Sequence, residues 1–205
     1  MARIDEVTGK LSGAVGPVVL VNGKSGQIVR SKITSNKSKS EAQLRQRAKM
    51  QAASSFLRPL AEVLKRLYVE PVGKSNYQQA ALSQAMRQAI GENGDLVPER
   101  VLISRGTMAQ PQDMRMEAED DSLALSWTDN SHVGGANAND RLVVVLYDPE
   151  LMYVYDFFTE TTRCQGTCRL DVSRCKKGDY LVYATFVAAK GNSVSNSCYV
   201  ALLSR

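Results

Sequence analysis

Tyr180-Leu-Val-Tyr-Ala-Thr-Phe-Val-Ala-Ala-Lys-Gly-Asn-Ser-Val-Ser-Asn196 decides the architecture of the second half of the chain. An uncharged run rich in aromatic and aliphatic residues ends in a Lys190-Gly-Asn192 turn, and a second β-prone stretch follows. The reading is strand, turn, strand. The same texture extends outward from it. Val101-Leu-Ile103, Met114–Glu117, Leu123–Trp127, Leu142–Tyr147, Tyr153–Phe157, Cys168–Val172 and Ser197–Leu202 are short runs with period-two character. Asp120-Asp121, His132–Asn139, Asp148-Pro149 and Lys177-Gly178 separate them at roughly 8–12-residue spacing, which predicts an antiparallel β-sandwich.

Upstream of Pro98 the period becomes helical. Leu44, Ala48, Ala52 and Phe56 recur every fourth residue, behind Ser40 as N-cap and Glu41 in the first turn, so a helix is expected from Glu41 towards Leu57. Pro59 ends it, and Leu60, Val63, Leu64 and Leu67 mark a second amphipathic segment before Pro71. A third starts near Ser75, carries Tyr77, Ala81, Leu82, Ala85, Met86 and Ala89, and stops at Gly91–Gly94. Earlier still, Val18-Val-Leu-Val21 and Gln27–Ile33 flank Asn22–Gly26 and predict a hairpin, with Pro17 tolerated where its strand opens. A lone hairpin is marginal in water, so it must lie against something else. Ser35–Ser40 is a polar linker. The expected fold class is α+β, with a basic β-hairpin plus about three helices in residues 1–98 and the sandwich in residues 99–205.

The net charge of +5 over 205 residues hides a split. Residues 1–49 hold ten basic side chains and three acidic ones, whereas residues 101–205 hold ten basic and thirteen acidic. The basic part implies an anionic partner: nucleic acid, an acidic protein surface, or the acidic half of a neighbouring copy. No window approaches 18 apolar residues, so no membrane span is expected. Met1-Ala-Arg-Ile-Asp-Glu6 lacks the apolar stretch of a conventional secretory signal. The expected location is the cytoplasm, or a virion for a phage-encoded chain, and reduced thiols are expected at Cys164, Cys168, Cys175 and Cys198.

Two resemblances rest on these residues. Leu123-Ala-Leu-Ser-Trp127 resembles the Trp-bearing early strand of immunoglobulin-like and fibronectin type III-like sandwiches, and Tyr180–Asn196 resembles their last hairpin. The likeness covers about half the chain and concerns fold alone. The whole chain is similar to an uncharacterised family of Bacteroidetes proteins known only as a domain of unknown function. The matching stretches are Gly13-Ala-Val-Gly16, Arg30-Ser31, Glu41–Arg47, Val101-Leu-Ile-Ser-Arg-Gly106, Ser126-Trp-Thr-Asp-Asn130 and Val194-Ser-Asn-Ser197. That resemblance implies no activity, cofactor or catalytic residue. Cys164, Cys168 and Cys175 depart from the family pattern.

Catalytic chemistry has little to build on. The single histidine, His132, lies in a polar loop between Asp129 and Asp140, where Asp serves turns; it reads as a solvated side chain. No nucleophile elbow, P-loop, dinucleotide fingerprint or zincin motif occurs. Gly13-x-x-Gly16 lacks the helical setting of the GxxG loop of KH domains and reads as glycines easing the chain into a strand. The spacing Cys164-x3-Cys168-x6-Cys175 leaves three readings open: unlinked thiols, a disulfide across the Gln165-Gly166 turn, or a zinc site completed by Cys198 or His132. Glu117, Glu119, Asp120 and Asp121 read as turn solubilisers ahead of a calcium site. No catalytic, cofactor-binding or metal-binding residues are expected, and no cofactor.

The candidate site is the basic set Lys24, Arg30, Lys32, Lys37, Lys39, Arg45, Arg47 and Lys49, opposed only by Glu41. Its phosphate affinity would depend on salt. The first 49 residues hold no Phe, Tyr or Trp on which bases would stack. Gln43, Arg47 and Gln51 on one helix face are the alternative route to base edges. The expected function is therefore that of a non-enzymatic structural and interaction protein. Its basic N-terminal part docks to a larger assembly, and its sandwich presents the loops at 130–139 and 159–167. A phage virion or mobile-element component fits, with protein partners or self-association. The alternatives are a nucleic-acid-associated protein that binds phosphate through the basic half, and a carbohydrate- or peptide-binding module.

Overall fold

Leu142-Val-Val-Val-Leu-Tyr147 has no polar position, so the strand it forms has no face to offer to solvent. It is the body of β7 (Arg141–Asp148), which pairs antiparallel with β10 (Asp179–Val187) at the centre of a four-stranded sheet. β8 (Tyr153–Thr162) and β11 (Cys198–Ser204) complete the sheet in the order β11-β10-β7-β8. Alternate residues Leu142, Val144 and Leu146, with Val182, Ala184 and Phe186, meet a three-stranded sheet of order β5-β6-β9. That sheet comprises β5 (Gln112–Glu119), β6 (Ser122–Thr128) and β9 (Thr167–Asp171), and it contributes Leu123, Leu125, Trp127, Cys168 and Leu170. The intervening residues Val143, Val145, Tyr147, Leu181 and Tyr183 point the other way, into a core shared with three helices.

This computed structural model describes residues 11–23, 26–33, 40–69, 76–190 and 193–205, and the backbone of 3–4. The helices are α1 (Glu41–Leu57), α2 (Ala61–Leu67) and α3 (Tyr77–Gln88), at the places the periodicity indicates. Ser40 caps α1 by accepting from the Gln43 N–H at 3.3 Å. Asn76 caps α3 by accepting from Gln79 N–H at 2.9 Å. Pro59 separates α1 from α2, since a proline inside a helix removes a donor and clashes with the preceding turn. Phe56, Leu60, Leu64 and Leu67 are buried, each worth about 1.5–3 kcal/mol of hydrophobic transfer. Phe56 meets the Tyr147 ring edge-on at 4.8 Å. Of the expected α1 stripe, only Phe56 reaches the core. Leu44 and Ala48 are exposed, and burial along α1 begins at Ala53.

The α+β class holds, with three corrections. The expected boundary at residues 98 and 99 does not divide the molecule. The chain separates into Met1–Leu44 and Arg45–Arg205. Helices and sheet share one core because β7 and β10 need cover on both faces, and Tyr183 Oη donates to the Pro98 carbonyl at 2.8 Å across the expected seam. Val101–Ile103 is no strand. It follows a 3-10 turn at Pro98–Arg100 as irregular chain, with Val101 and Ile103 buried in the helix-side core. The N-terminal hairpin is real, but it belongs to a larger meander, order β1-β2-β3-β4, of β1 (Arg3–Ile4), β2 (Leu11–Val15), β3 (Val18–Gly23) and β4 (Gly26–Ser31). Arg3–Ile4 and Leu11–Val15 supply two further strands, and Gly16-Pro17 forms a tight turn where one strand was expected to open. No helix among the described residues is long and apolar enough to cross a membrane.

Candidate docking surface and polar clusters

Among the described residues, the first unit is a sheet without a buried core. Gly16 at φ 57° precedes Pro17, whose ring fixes a negative φ; that order suits the tight hairpin turn joining β2 to β3. Register then sorts the side chains, since cross-strand partners share a face. Gly13 pairs with Leu20, Leu20 with Val29, and Val15 with Val18; with Leu11 these residues form one face. Ala14 pairs with Val19, Val19 with Arg30, and Val21 with Ile28; these form the other. The Lys32 N–H donates to Pro17 O at 2.6 Å, which continues the alternation and puts Lys32 on the Arg30 side. Both faces carry apolar side chains beside polar ones, Asn22, Gln27 and Ser31 on the first and Ser12 and Arg30 on the second, and no described residue of this unit is buried. Ile28 is 54% exposed and Val29 61%. Sheets gain independent stability only by covering an apolar face.

The eight basic residues fall into three groups. Lys24, Lys37 and Lys39 lie outside the described residues. Arg30 and Lys32 are exposed on and just beyond β4, in the first unit. Arg45, Arg47 and Lys49 are on α1 in the second unit. Arg45 and Lys49 are one turn apart, Arg47 is on the opposite side, and Lys49 is half-buried with its chain against Gly94. Gln43, Arg47 and Gln51 are all exposed. Beyond α1, a cleft of about 280 Å³ between the three helices is floored by Leu57, Leu64 and Leu82 and rimmed by Arg58, Gln78 and Gln79. It is at the small end of ligand pockets.

Arg163 is the residue that the sequence did not mark. It sits in a 3-10 turn (Arg163–Gln165) between β8 and β9, closed by a Thr162/Gln165 capping box and by Gly166 at φ 70°. Its side chain is fully buried and its pair with Asp140 closes at 3.3 Å. It also donates to Asn130 Oδ1 and, at 3.0 Å, to the Ala109 carbonyl, and it stacks over the Phe186 ring at 3.9 Å. Burial draws its pKa down, and the Asp140 carboxylate opposes that shift. Trp127 Nε1 donates to the Arg163 carbonyl at 2.7 Å. The loops expected to be presented at 130–139 and 159–167 are thus tied to each other through one guanidinium.

A second buried cluster consists of hydroxyls. Ser104 Oγ donates to Thr185 Oγ1 at 2.8 Å, and Phe186 N–H donates to Ser195 Oγ at 2.9 Å. Ile103 N–H donates to Ser197 Oγ at 2.9 Å, and Gly106 N–H to Asn196 Oδ1 at 3.2 Å. Two stretches that carry the family resemblance, 101–106 and 194–197, are therefore fastened side by side. Gly106 has no space for a side chain: a Cβ would overlap the Val194 carbonyl oxygen and lie 2.8 Å from Val194 Cγ2.

All four cysteines are free, with Cys164 exposed, Cys168 and Cys175 buried and Cys198 half-buried. Burial pushes the Cys175 thiol up, and pushes Cys198 up to about 11. His132 is exposed. Among the described residues, no three of His, Cys, Asp and Glu gather to hold an ion. The acidic turn is internally compensated: Glu119 pairs with Arg169 and Asp121 with Arg205.

These features define an α+β protein with two packed sheets and three helices, whose buried polar groups fasten chain crossings, and an N-terminal sheet in which no described residue is buried. The chain belongs to a family of unknown function, DUF6266, which it matches over residues 10–201. No curated protein sequence matches it. One solved structure with a partial likeness is the pectate lyase Pel3 from Pectobacterium carotovorum, 21% identical with a TM-score of 0.28, over 43% of this chain and 25% of that one. The present chain thus spans about a quarter of that enzyme, and so slight a likeness carries no weight for fold or activity.

Proposed function

We propose that this is a non-enzymatic structural and interaction protein whose N-terminal sheet docks it to a larger assembly. The observation that carries the reading is a four-stranded sheet with aliphatic side chains on both sides, in which no described residue is buried. A continuous apolar run such as Val18–Val21 belongs to a strand covered on both faces. Arg30 and Lys32 place positive charge on one of those faces, which suits an acidic or otherwise anionic partner surface. The second unit is the presented body. Its strand order, β5-β6-β9 facing β11-β10-β7-β8, with Trp127 on β6, supports an immunoglobulin-like or fibronectin type III-like sandwich. The Arg163 cluster would make the loops at one end of it a rigid ledge. Such a unit carried by a docking sheet suits a component of a phage virion or of a mobile element.

The test is the hydrodynamic behaviour of the full chain beside one lacking residues 1–44. Association that weakens with salt, lost on deletion while the rest keeps its melting temperature, is the expected result. A deletion that lowers that melting temperature by several degrees would show the sheet to be a piece of its own chain's core, and would sink the docking reading. A nucleic-acid role is the second reading, favoured by the exposed line of Gln43, Arg47 and Gln51 along α1. Retention on duplex DNA that falls steeply with salt, and is lost when Arg45, Arg47 and Lys49 become Ala, would support it; retention unchanged by those substitutions would remove it.

A further inference from the structure

We infer that a cleft at the loop end of the second unit binds a neutral sugar ring, with the Asp140 carboxylate as the acceptor at its floor. The cleft, of about 360 Å³, is walled by Met108, Ala188 and Ala189 and edged by Asn137, Asn139 and Lys190. Small-ligand sites span about 300–1,000 Å³. Asp140 lines the cleft although its side chain is only 2% exposed. Two donors reach its carboxylate, Arg163 Nε at 3.3 Å and the Asn137 N–H at 2.7 Å, and both go to Oδ2. No donor among the described residues reaches Oδ1, yet that oxygen is not sealed in the interior, so it opens on the cleft. A carboxylate has about four lone-pair sites, and burial makes it costly to leave half of them unmet. No residue of the cleft belongs to the first unit, so binding here is independent of docking there.

The charges of the cleft select the class of ligand. Arg163 already neutralises Asp140, and Lys190 adds a positive charge at the edge, so a cation finds no surplus negative charge. An anion would meet the lone pairs of Oδ1. Among the described residues no aromatic ring lines the cleft, which denies a nucleobase its stacking surface. What remains is a neutral ligand that donates to the floor and accepts at the edge, and a hydroxyl does both. Oδ1 accepts from one hydroxyl of the ring. Asn137 Oδ1 is taken by the Asn139 N–H at 3.3 Å, which leaves the Asn137 amide nitrogen, with the Asn139 amide and the Lys190 ammonium, to donate to neighbouring hydroxyls. Met108, Ala188 and Ala189 offer an aliphatic wall to the C–H side of the ring. Gly135 leaves a further edge bare, since a Cβ there would meet nothing within 4 Å. The acceptor is also held in place before any ligand arrives. Arg163 is stacked on Phe186, and the Asp140 N–H returns to the Asn137 carbonyl at 3.0 Å, so binding orders little of the protein.

Chemical-shift titration of the nitrogen-labelled full chain with glucose, galactose, mannose and N-acetylglucosamine reads the binding. The expected result is a saturable shift with a millimolar dissociation constant for at least one of them, confined to the amides of residues 135–140 and 188–190 and the side-chain amides of Asn137 and Asn139. Ala189→Trp fills the cleft from its exposed wall and leaves every bond to Asp140 in place, so it should weaken binding roughly tenfold or more. Ala189→Ser should leave binding unchanged. Asn139→Ala removes one donor and should weaken binding about fivefold, the value of one ordinary hydrogen bond. An unchanged melting temperature shows that a variant keeps its fold, and Asn139→Ala decides alone should Ala189→Trp not fold. Shifts that never saturate for any of the four sugars, shifts centred elsewhere, binding that either folded variant leaves unmoved, or an equal response to guanidinium or inorganic phosphate would each overturn the inference. None of these outcomes touches the docking reading, which deletion of residues 1–44 tests by itself.

Discussion

Replacing Arg163 by Met removes the guanidinium and keeps most of the volume over Phe186. Asp140, 2% exposed in its side chain, then has the Asn137 N–H, at 2.7 Å, as its remaining donor. Breaking a buried ion pair from one side costs about 3–5 kcal/mol, chiefly because the surviving charge is stranded. The bonds to Asn130 and the Ala109 carbonyl vanish in the same step; each is of the charged kind worth about 1.5–3 kcal/mol, and they overlap with the first figure rather than add to it. We expect a loss of about 4 kcal/mol, against the 5–15 kcal/mol typical of whole domains. For a unit of this size that lowers the melting temperature by roughly 10 °C. Urea unfolding followed through Trp127, the chain's one tryptophan and a direct donor to the Arg163 carbonyl, reads the change. Asp140→Asn alone should also destabilise, and the double variant should recover about 2 kcal/mol relative to the sum of the singles. An Arg163→Met cost under about 1 kcal/mol, or strictly additive singles, would refute the view that this pair fastens the loops.

Gly106→Ala should cost about 3 kcal/mol, at the upper end of overpacking, because the added methyl meets the Val194 backbone; a differential scanning calorimeter that finds no change contradicts that geometry. Phe56→Ala should cost about 3–5 kcal/mol and lower the far-ultraviolet helix signal and the Trp127 fluorescence in one coincident transition, since helices and sheet share a core; two separated transitions would restore a boundary near Pro98. A thiol reagent should label Cys164 in the native protein well before Cys175 and Cys198, and equal rates for all four would contradict their burial. Cys198 has its folded pKa raised by burial to about 11, and that of Tyr183 is raised by burial too, so the folded state holds protons that the unfolded chain has given up. That stability is whole below the ordinary thiol range and is lost as pH climbs from about 9 through 11, so denaturant midpoints should fall over that window, and less steeply in Cys198→Ala.

Much of this architecture could be read from residue order. All nine expected strand runs between Met114 and Leu202 and between Val18 and Ile33, and all three helices, fall where period and punctuation put them, because Pro59, Asn76 and the turn glycines act locally. The seam at Pro98 failed for a reason also written in the sequence. Leu142–Tyr147 is apolar throughout, which is the mark of a strand covered twice, and the helices are the second cover. The same mark stands at Val18–Val21, where its consequence is the uncovered sheet. Val101–Ile103 shows the limit of short apolar runs, since burial alone satisfies them without a ladder. Arg163 was illegible because nothing in Thr162-Arg-Cys-Gln-Gly166 distinguishes a buried arginine from a solvated one. Its partners Asp140, Asn130 and Ala109 are 23 to 54 residues away and are gathered only by the fold.

The places where this chain resembles its family explain why motif reading finds no chemistry in them. Val101–Gly106 and Val194–Ser197 meet through the hydroxyls of Ser104, Ser195 and Ser197 and at the bare Cα of Gly106. Ser126–Asn130 supplies Trp127 and Asn130 to Arg163, and Gly13–Gly16 leads into the turn that joins β2 to β3. The meeting of Val101–Gly106 with Val194–Ser197 is an irregular crossing where a backbone group would otherwise be buried without a partner, and such a group costs about 1–3 kcal/mol. Core strands tolerate exchange among hydrophobic residues of similar volume, whereas a crossing demands a particular polar atom or the lack of a side chain. Serines, an asparagine and an arginine in buried clusters could be mistaken for the parts of an active site. Here each is bonded to the backbone or to another member of its cluster, whereas apolar side chains of β2, β3 and β4 such as Val15, Ile28 and Val29 stand exposed. The interaction reading follows from that contrast: the Arg163 and hydroxyl clusters of the second unit are bonded internally, and the exposed apolar side chains of the first call for a partner.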